Sequence, residues 1–249
     1  MGFHGGGHLV QQFFVEELSQ ETVVTGEELQ HMQVLRLQIG EEIFLTDGTQ
    51  LAKGKLLCLD KKEARVELLE YLQSTEPPYN ITLYQGLPKG EKMEVIIQKA
   101  VELGVKRIVP VQTARSVVKW DKERSKNKIE RFNRVALGAC KQSHRVVRPE
   151  VTEPISFAEF LPEWQSFTGL KLAFWEEGNA SLPEAMQEIP KDVAILIGPE
   201  GGLSKEEAIS LQSPLFTLGP RILRTETASV AALAMLLFAL ELKGENHSP

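Results

Sequence analysis

The order of apolar and polar positions divides the chain into two parts with different periods. Residues 12–15 read as a short strand. Thr25 opens a helix as the first residue of a capping box, with Glu28 three positions on. Leu29, Met32 and Leu35, with Arg36 beside it, continue that helix at helical spacing until Gly40 ends the unit. Residues 42–46 read as a strand and Asp47-Gly48 as a hairpin turn, and 51–59 and 65–71 alternate as two further strands. This pattern predicts a small antiparallel barrel. Pro77 and Pro78 then break any regular element and place a linker at 73–79.

Beyond the linker, strands and helices alternate. Strands are expected at 81–85, 107–111, 171–175, 193–197 and 215–218. Helices are expected at 89–103, 122–141, 205–212 and 225–242. The first helix carries Met93, Ile96, Ile97, Ala100, Val101 and Leu103 on or near one face, and Gly104 stops it. Such alternation predicts an α/β domain with a mostly parallel sheet. The expected organisation is a leader at 1–10, a barrel at 11–72, the linker at 73–79 and the α/β domain at 80–249.

Composition narrows the class. Hydrophobic residues make up 42 % and charged residues 25 % of 249, which excludes disordered and collagen-like chains. The two cysteines, Cys58 and Cys140, lie far apart and form neither a disulfide framework nor a zinc ribbon, which points to a reducing, cytoplasmic compartment. The Gly- and His-rich start resembles a leader or tag, His4 and His8 included, rather than a metal site. The apolar run at 228–240 is too short to span a bilayer and reads as a buried helix, so neither membrane nor metal is expected. A net charge of −6 speaks against nucleic acid until its distribution is seen. Residues 89–148 hold 16 Lys and Arg against 6 Asp and Glu, leaving the rest of the chain acidic. That asymmetry suits a phosphate footprint or a solvated, lysine-rich helix face equally well.

Three groups of residues could carry chemistry. Residues 195–202 run from a buried strand into Gly198-Pro-Glu-Gly-Gly202, followed by Ser204 as a helix cap. Glycines there let a ligand approach the backbone at the carboxyl end of a strand. The spacing is neither a dinucleotide fingerprint nor a P-loop, so the choice lies between a nucleotide-like ligand held by backbone groups and a plain turn. Residues 218–228 form a second Gly-Pro exit between strand and helix, with Arg221 and Arg224 as planar cations and Thr225 or Thr227 as a cap. The third group comprises residues 85–90, 115–119 and 141–145, polar or basic clusters at element ends that could track an RNA backbone. His144 could act as a general base or as an RNA contact. Trp120 could stack on a base or belong to the core.

Taken together in order and spacing, these groups resemble the RsmE family, the 16S ribosomal RNA uridine-N3 methyltransferases of the SPOUT superfamily. The resemblance runs from about Gln11 onward. It includes residues 31–37 (HMQVLRL), 87–90 (LPKG), 98–104 (QKAVELG), 115–118 (RSVV), 141–143 (KQS), 197–202 (IGPEGG) and 218–227 (LGPRILRTET). Basic residues often precede the first strand in that family, whereas Gln11 and Gln12 stand here. The resemblance implies a SPOUT-type, trefoil-knotted α/β domain behind a PUA-like β-barrel, and S-adenosylmethionine as cofactor. It places Leu196, Ile197, Gly198, Gly202, Leu218, Gly219, Ile222, Leu223 and Thr225 at the cofactor. Arg36, Lys89, Arg115, Gln142, His144 and Arg145 become candidates for contact with 16S ribosomal RNA or the small ribosomal subunit. Arg224 and Thr225, beside the second exit, become the candidate catalytic pair. A homodimer is implied. The competing expectations are a related SPOUT methyltransferase acting on another RNA or atom, and a non-catalytic RNA-binding assembly factor.

Overall fold

The computed structural model describes residues 10–120, 122–180, 182–185 and 191–245. The leader expected at 1–10, with His4 and His8, lies outside them except for Val10. Two compact units are present: one built from the chain up to Glu76 with Cys140–Arg148, the other from Pro77–Ala139 with the chain from Pro149 onward.

The first unit holds β1 (Gln12–Phe14), β2 (Glu21–Val24), α1 (Gly26–Val34), β3 (Glu42–Thr46), β4 (Leu51–Leu59) and β5 (Ala64–Leu72). The five strands form one sheet in the order β1-β3-β4-β5-β2. Inward-facing side chains from alternate strand positions, among them Phe13, Ile43, Leu45, Leu56 and Val66, close its core against Leu29 and Met32 of α1. Two expectations are corrected. The sheet is mixed, because β1 runs parallel to β3. The Thr25 side chain makes no capping bond: Gly26 takes φ +64°, which breaks regular helical geometry at the first turn, and Glu28 pairs instead with Lys141 at 2.6 Å. Strand β2, which no clear period announced, is fixed by antiparallel pairing with β5.

Residues 140–148 are stitched into this unit. The Glu76 carboxylate accepts from the Arg145 guanidinium at 2.6 Å and from the amides of Val146 and Val147, each at 2.9 Å. Gln12 donates to the Arg145 carbonyl at 2.7 Å. Gln12 is therefore 2 % exposed and serves packing.

The second unit is an α/β sheet in the order β12-β10-β11-β6-β7-β8, parallel throughout, with β9 also paired to β7. Its elements are β6 (Asn80–Gly86), α2 (Lys92–Glu102), β7 (Arg107–Gln112), α3 (Lys122–Gln142), β8 (Glu150–Val151), β9 (Ile155–Ser156), α4 (Phe157–Ser166), β10 (Leu170–Phe174), α5 (Leu182–Ala185), β11 (Asp192–Ile197), α6 (Lys205–Ser210), β12 (Leu215–Phe216) and α7 (Thr225–Glu245). Near-continuous apolar strands such as β11 suit a sheet covered on both faces. Ser204 caps α6 with a full capping box to Glu207, as its sequence position suggested. Helix α4, absent from the sequence pattern because Pro162 interrupts it, carries its own capping box from Ser156 to Glu159. Its Phe160 and Trp164 pack on Tyr84 in the core. No helix among the described residues is long and apolar enough to cross a membrane.

Because the sheet is parallel, the carboxyl ends of β6, β10, β11 and β12 open on one edge. That edge is where open α/β sheets place ligands.

Candidate active site

A cavity of about 710 Å³ occupies this edge, lined by the ends of β10, β11 and β12 and by both Gly-Pro exits. Ile197, Gly198, Gly202, Leu218, Gly219, Ile222, Leu223 and Thr225 all line it. Leu196 does not: it is fully buried one position earlier, in the core behind the wall. Phe174, the last residue of β10, and Trp175 and Glu176, which follow it, also line the cavity and were not singled out from sequence. The anticipated strand at 171–175 and the carboxyl-end rule together carried the signal for them.

The first exit is braced from several sides. The Thr225 hydroxyl donates to the Gly198 carbonyl at 2.7 Å. Glu200 accepts from the Lys89 backbone amide at 3.1 Å and from the Lys92 ammonium at 2.8 Å. Burial raises the Glu200 carboxyl pKa, but Lys92 and the loop amides outweigh it and hold the group below its ordinary value. Arg115 donates to the Gly201 carbonyl at 2.8 Å. Gly202 has φ +67°, the left-handed region that favours glycine, and a Cβ there would push aside the tip of the Glu176 side chain, 2.7 Å away.

The second exit carries Arg221 and Ile222 on an open wall. Arg224, two residues beyond Ile222, is exposed and absent from the lining, whereas Thr225 is 4 % exposed and part of it. The two candidate catalytic residues therefore stand in different surroundings.

The RNA candidates also separate. Lys89 and Arg115 lie in the second unit at the braced exit. Lys89 has an exposed side chain, and Arg115 doubles as a strut for the loop. Arg36 and Gln142, in the first unit, are exposed, and Arg36 takes φ +56° after α1. Arg145 is corrected: at 3 % exposure and tied to Glu76, its guanidinium is a structural clamp. His144 is half-buried with its ring edge-on to Phe44 at 4.9 Å, and burial lowers its pKa, which favours the neutral imidazole. Gln85, part of the polar cluster expected to follow RNA, is fully buried. Trp120 packs near Phe132 with Lys128 over its ring at 5.0 Å.

The residues present fit S-adenosylmethionine. The volume suits a ligand of that size. The walls combine apolar side chains (Ile197, Leu218, Phe174) with the backbone of four glycines, and Glu176 offers an acceptor for hydroxyls or positive charge. Arg221 is the one cation of the lining, so no built phosphate seat exists there among the described residues. No cluster of metal-ligating side chains is found among the described residues either.

Comparison with known proteins agrees with this geometry. A family model described as an RNA methyltransferase domain matches residues 75–237, and an RNA methyltransferase PUA domain matches 24–69. The ribosomal RNA small subunit methyltransferase E of Bacillus subtilis is 37 % identical, covering 94 % of this chain and 98 % of that protein. The crystal structure of the same-named enzyme from Neisseria gonorrhoeae, bound to S-adenosyl methionine, superposes with a TM-score of 0.81 at 31 % identity, covering 92 % of this chain and 97 % of that one. A Legionella pneumophila structure in complex with bound S-adenosylmethionine gives 0.80 at 34 %, covering 92 % and 98 %. With a PUA-like unit ahead of a methyltransferase unit whose glycine exits frame one cavity, the chain belongs to the ribosomal RNA small subunit methyltransferase E family.

Proposed function

We propose that the chain transfers a methyl group from S-adenosylmethionine to N3 of a uridine in 16S ribosomal RNA, as a cytoplasmic homodimer acting on the small ribosomal subunit. The observation that carries this reading is the cavity itself: two glycine exits meeting at the carboxyl edge of a parallel sheet, in a chain of this family. Exposed Met235 and Phe238 on α7 support the dimer. The trefoil knot belongs to the same reading, as the family resemblance implies.

The chemistry asks for alignment and for loss of one proton. S-adenosylmethionine, when bound, supplies an electrophilic methyl on a sulfonium whose departure leaves a neutral thioether. Ile197, Leu218 and the glycine backbone exclude water from that centre and present carbonyl dipoles rather than fixed charge. The uridine must be unstacked to reach them. Its N3 carries a proton in the ground state and negative charge once that proton passes to solvent water. Arg224, exposed at the mouth of α7, stabilises that developing charge, while Thr225 orders the first exit. Lys89, Arg36 and Gln142 hold the RNA backbone, and Arg115 combines that role with bracing Gly201. Arg224→Ala is expected to keep S-adenosylmethionine affinity and lose about 100-fold in turnover. Unchanged turnover removes Arg224 from the mechanism.

The test of the function uses labelled S-adenosylmethionine and small subunits lacking the modification, followed by nucleoside analysis. N3-methyluridine at one site is expected. Cofactor binding with label in another nucleoside or RNA moves the chain to a related methyltransferase. RNA binding without cofactor binding makes it an assembly factor.

A further inference from the structure

A buried polar chain behind the cavity is left over once the cavity wall has been assigned. Gln85, the last residue but one of β6, is fully buried; Thr225 and Ser229, one turn apart on α7, are 4 % and 1 % exposed. The Gln85 amide nitrogen lies 2.9 Å from the Thr225 hydroxyl and 3.0 Å from the Gly86 carbonyl. The Gln85 amide oxygen accepts from the Ser229 hydroxyl at 2.6 Å, a proton Ser229 can also direct to the Thr225 carbonyl at 2.9 Å.

The direction of the bonds at Thr225 and at the Gln85 amide nitrogen follows from counting protons. Gly198 O is a carbonyl and can only accept, so the single proton of Thr225 goes to it. Thr225 must then accept, and the neighbour that can donate is the Gln85 amide. The second amide hydrogen goes to Gly86 O, again a pure acceptor. Both hydrogens and the oxygen of Gln85 are thereby committed, and the amide has one allowed orientation. The far end of the chain is the Gly198–Pro199 peptide. Proline has no N–H, so the carbonyl is the sole hydrogen-bonding handle on that peptide. A Cβ on Gly86 would stand 2.5 Å from Pro199, so the same strand end also presses on the proline from behind.

We propose that Gln85 is a positioning residue for the cofactor: it makes Thr225 a one-way donor and so fixes the plane of the Gly198–Pro199 peptide against which the ligand rests. It touches no reacting atom. The inference rests on the reading that this cavity holds S-adenosylmethionine.

Four proteins test it: wild type, Gln85→Met, Thr225→Val and the double variant, each titrated with S-adenosylmethionine, with amide exchange of the 198–204 peptide recorded on the unliganded forms. Each single variant is expected to raise Kd about tenfold, the effect of one ordinary hydrogen bond with its partner left buried. The double variant is expected to lose no more than either single one, because one chain is broken once. Losses that multiply to about 100-fold, or a Gln85→Met protein that binds as wild type, overturn the proposal. Gln85→Glu guards against a packing effect. It has the same size, but an ionised carboxylate can only accept: it faces the Gly86 carbonyl and draws the Thr225 proton away from Gly198 O, so it should lose as much as Gln85→Met, and near-wild-type binding overturns the proposal. If wild type itself binds no S-adenosylmethionine, the functional reading fails, and exchange still decides on Gln85. Faster exchange of 198–204 in Gln85→Met supports the positioning role, and unchanged exchange ends it.

Discussion

The two Gly-Pro exits, residues 197–202 and 218–224, share a sequence signature and differ in what holds them. The first is gripped by Thr225, Lys92, Arg115 and the Lys89 amide, and it bonds to itself through Gly202 N–H to Pro199 O at 2.9 Å. Among the described residues, the second makes a Gly219 amide bond to the Thr217 hydroxyl at 3.4 Å and an Arg224 carbonyl bond to Ala228 at 2.8 Å, and Ile222 is 95 % exposed. One exit is a fixed shelf and the other an open wall. The Gly-Pro dipeptide supplies a turn in both cases. Residues distant in sequence decide whether that turn is locked.

The largest effect should come from attacking the shelf. Gly86→Ala drives a methyl into the backbone nitrogen and ring of Pro199, each 2.5 Å away. Overpacking of this kind costs about 1–3 kcal/mol, and isothermal titration should show S-adenosylmethionine affinity falling by up to about 100-fold. Wild-type affinity would mean that the shelf is not what the ligand rests on.

Gly219→Ala tests the open wall. A Cβ there meets nothing within 4 Å, so the cost is conformational alone, at φ +97°. About 1–2 kcal/mol of strain should weaken binding about tenfold while leaving the first exit's amide exchange unchanged. A spread of faster exchange into 198–204 would show the two exits to be one unit.

A smaller effect is expected from Glu200→Gln. The lowered carboxyl pKa of Glu200 means that its contribution to stability is fully present above the ordinary value of 4.5 and is lost as pH falls through the lowered one. Thermal unfolding of Glu200→Gln should therefore depend less on pH on the acid side than wild type does; parallel profiles would contradict the brace. The smallest effect is that of Ile222→Ser, which should leave unfolding free energy within about 0.5 kcal/mol of wild type. A larger loss would mean that the second exit is packed after all.

The same contrast governs what could be read in advance. Strands β6, β7, β10 and β11, helix α7 and both exits were legible because apolar runs, Gly-Pro pairs and caps are local signals. Helix α4 was hidden by Pro162, and β2, β8 and β9 take their identity from their partners. At the site, the eight lining residues drawn from the family motifs sit on the cavity wall, whereas Trp175 and Glu176 needed the parallel order of the sheet. Arg145 was misread because a basic residue looks the same in sequence whether it faces phosphate or a buried carboxylate, and its partner Glu76 lies 69 residues away. Gln85 was misread in the same way: among Lys and Gly it looks like a surface polar residue, and only Thr225 and Ser229, about 140 positions on, show that it is buried machinery.

The most direct test of the shelf-and-wall account is amide exchange followed by mass spectrometry on the unliganded protein and on the S-adenosylmethionine complex. The expected result is slow exchange across 198–204 in both states and protection of 218–224 that appears only with the cofactor. Equal protection of both exits before cofactor is added, or protection gained at 198–204 and not at 218–224, would contradict it.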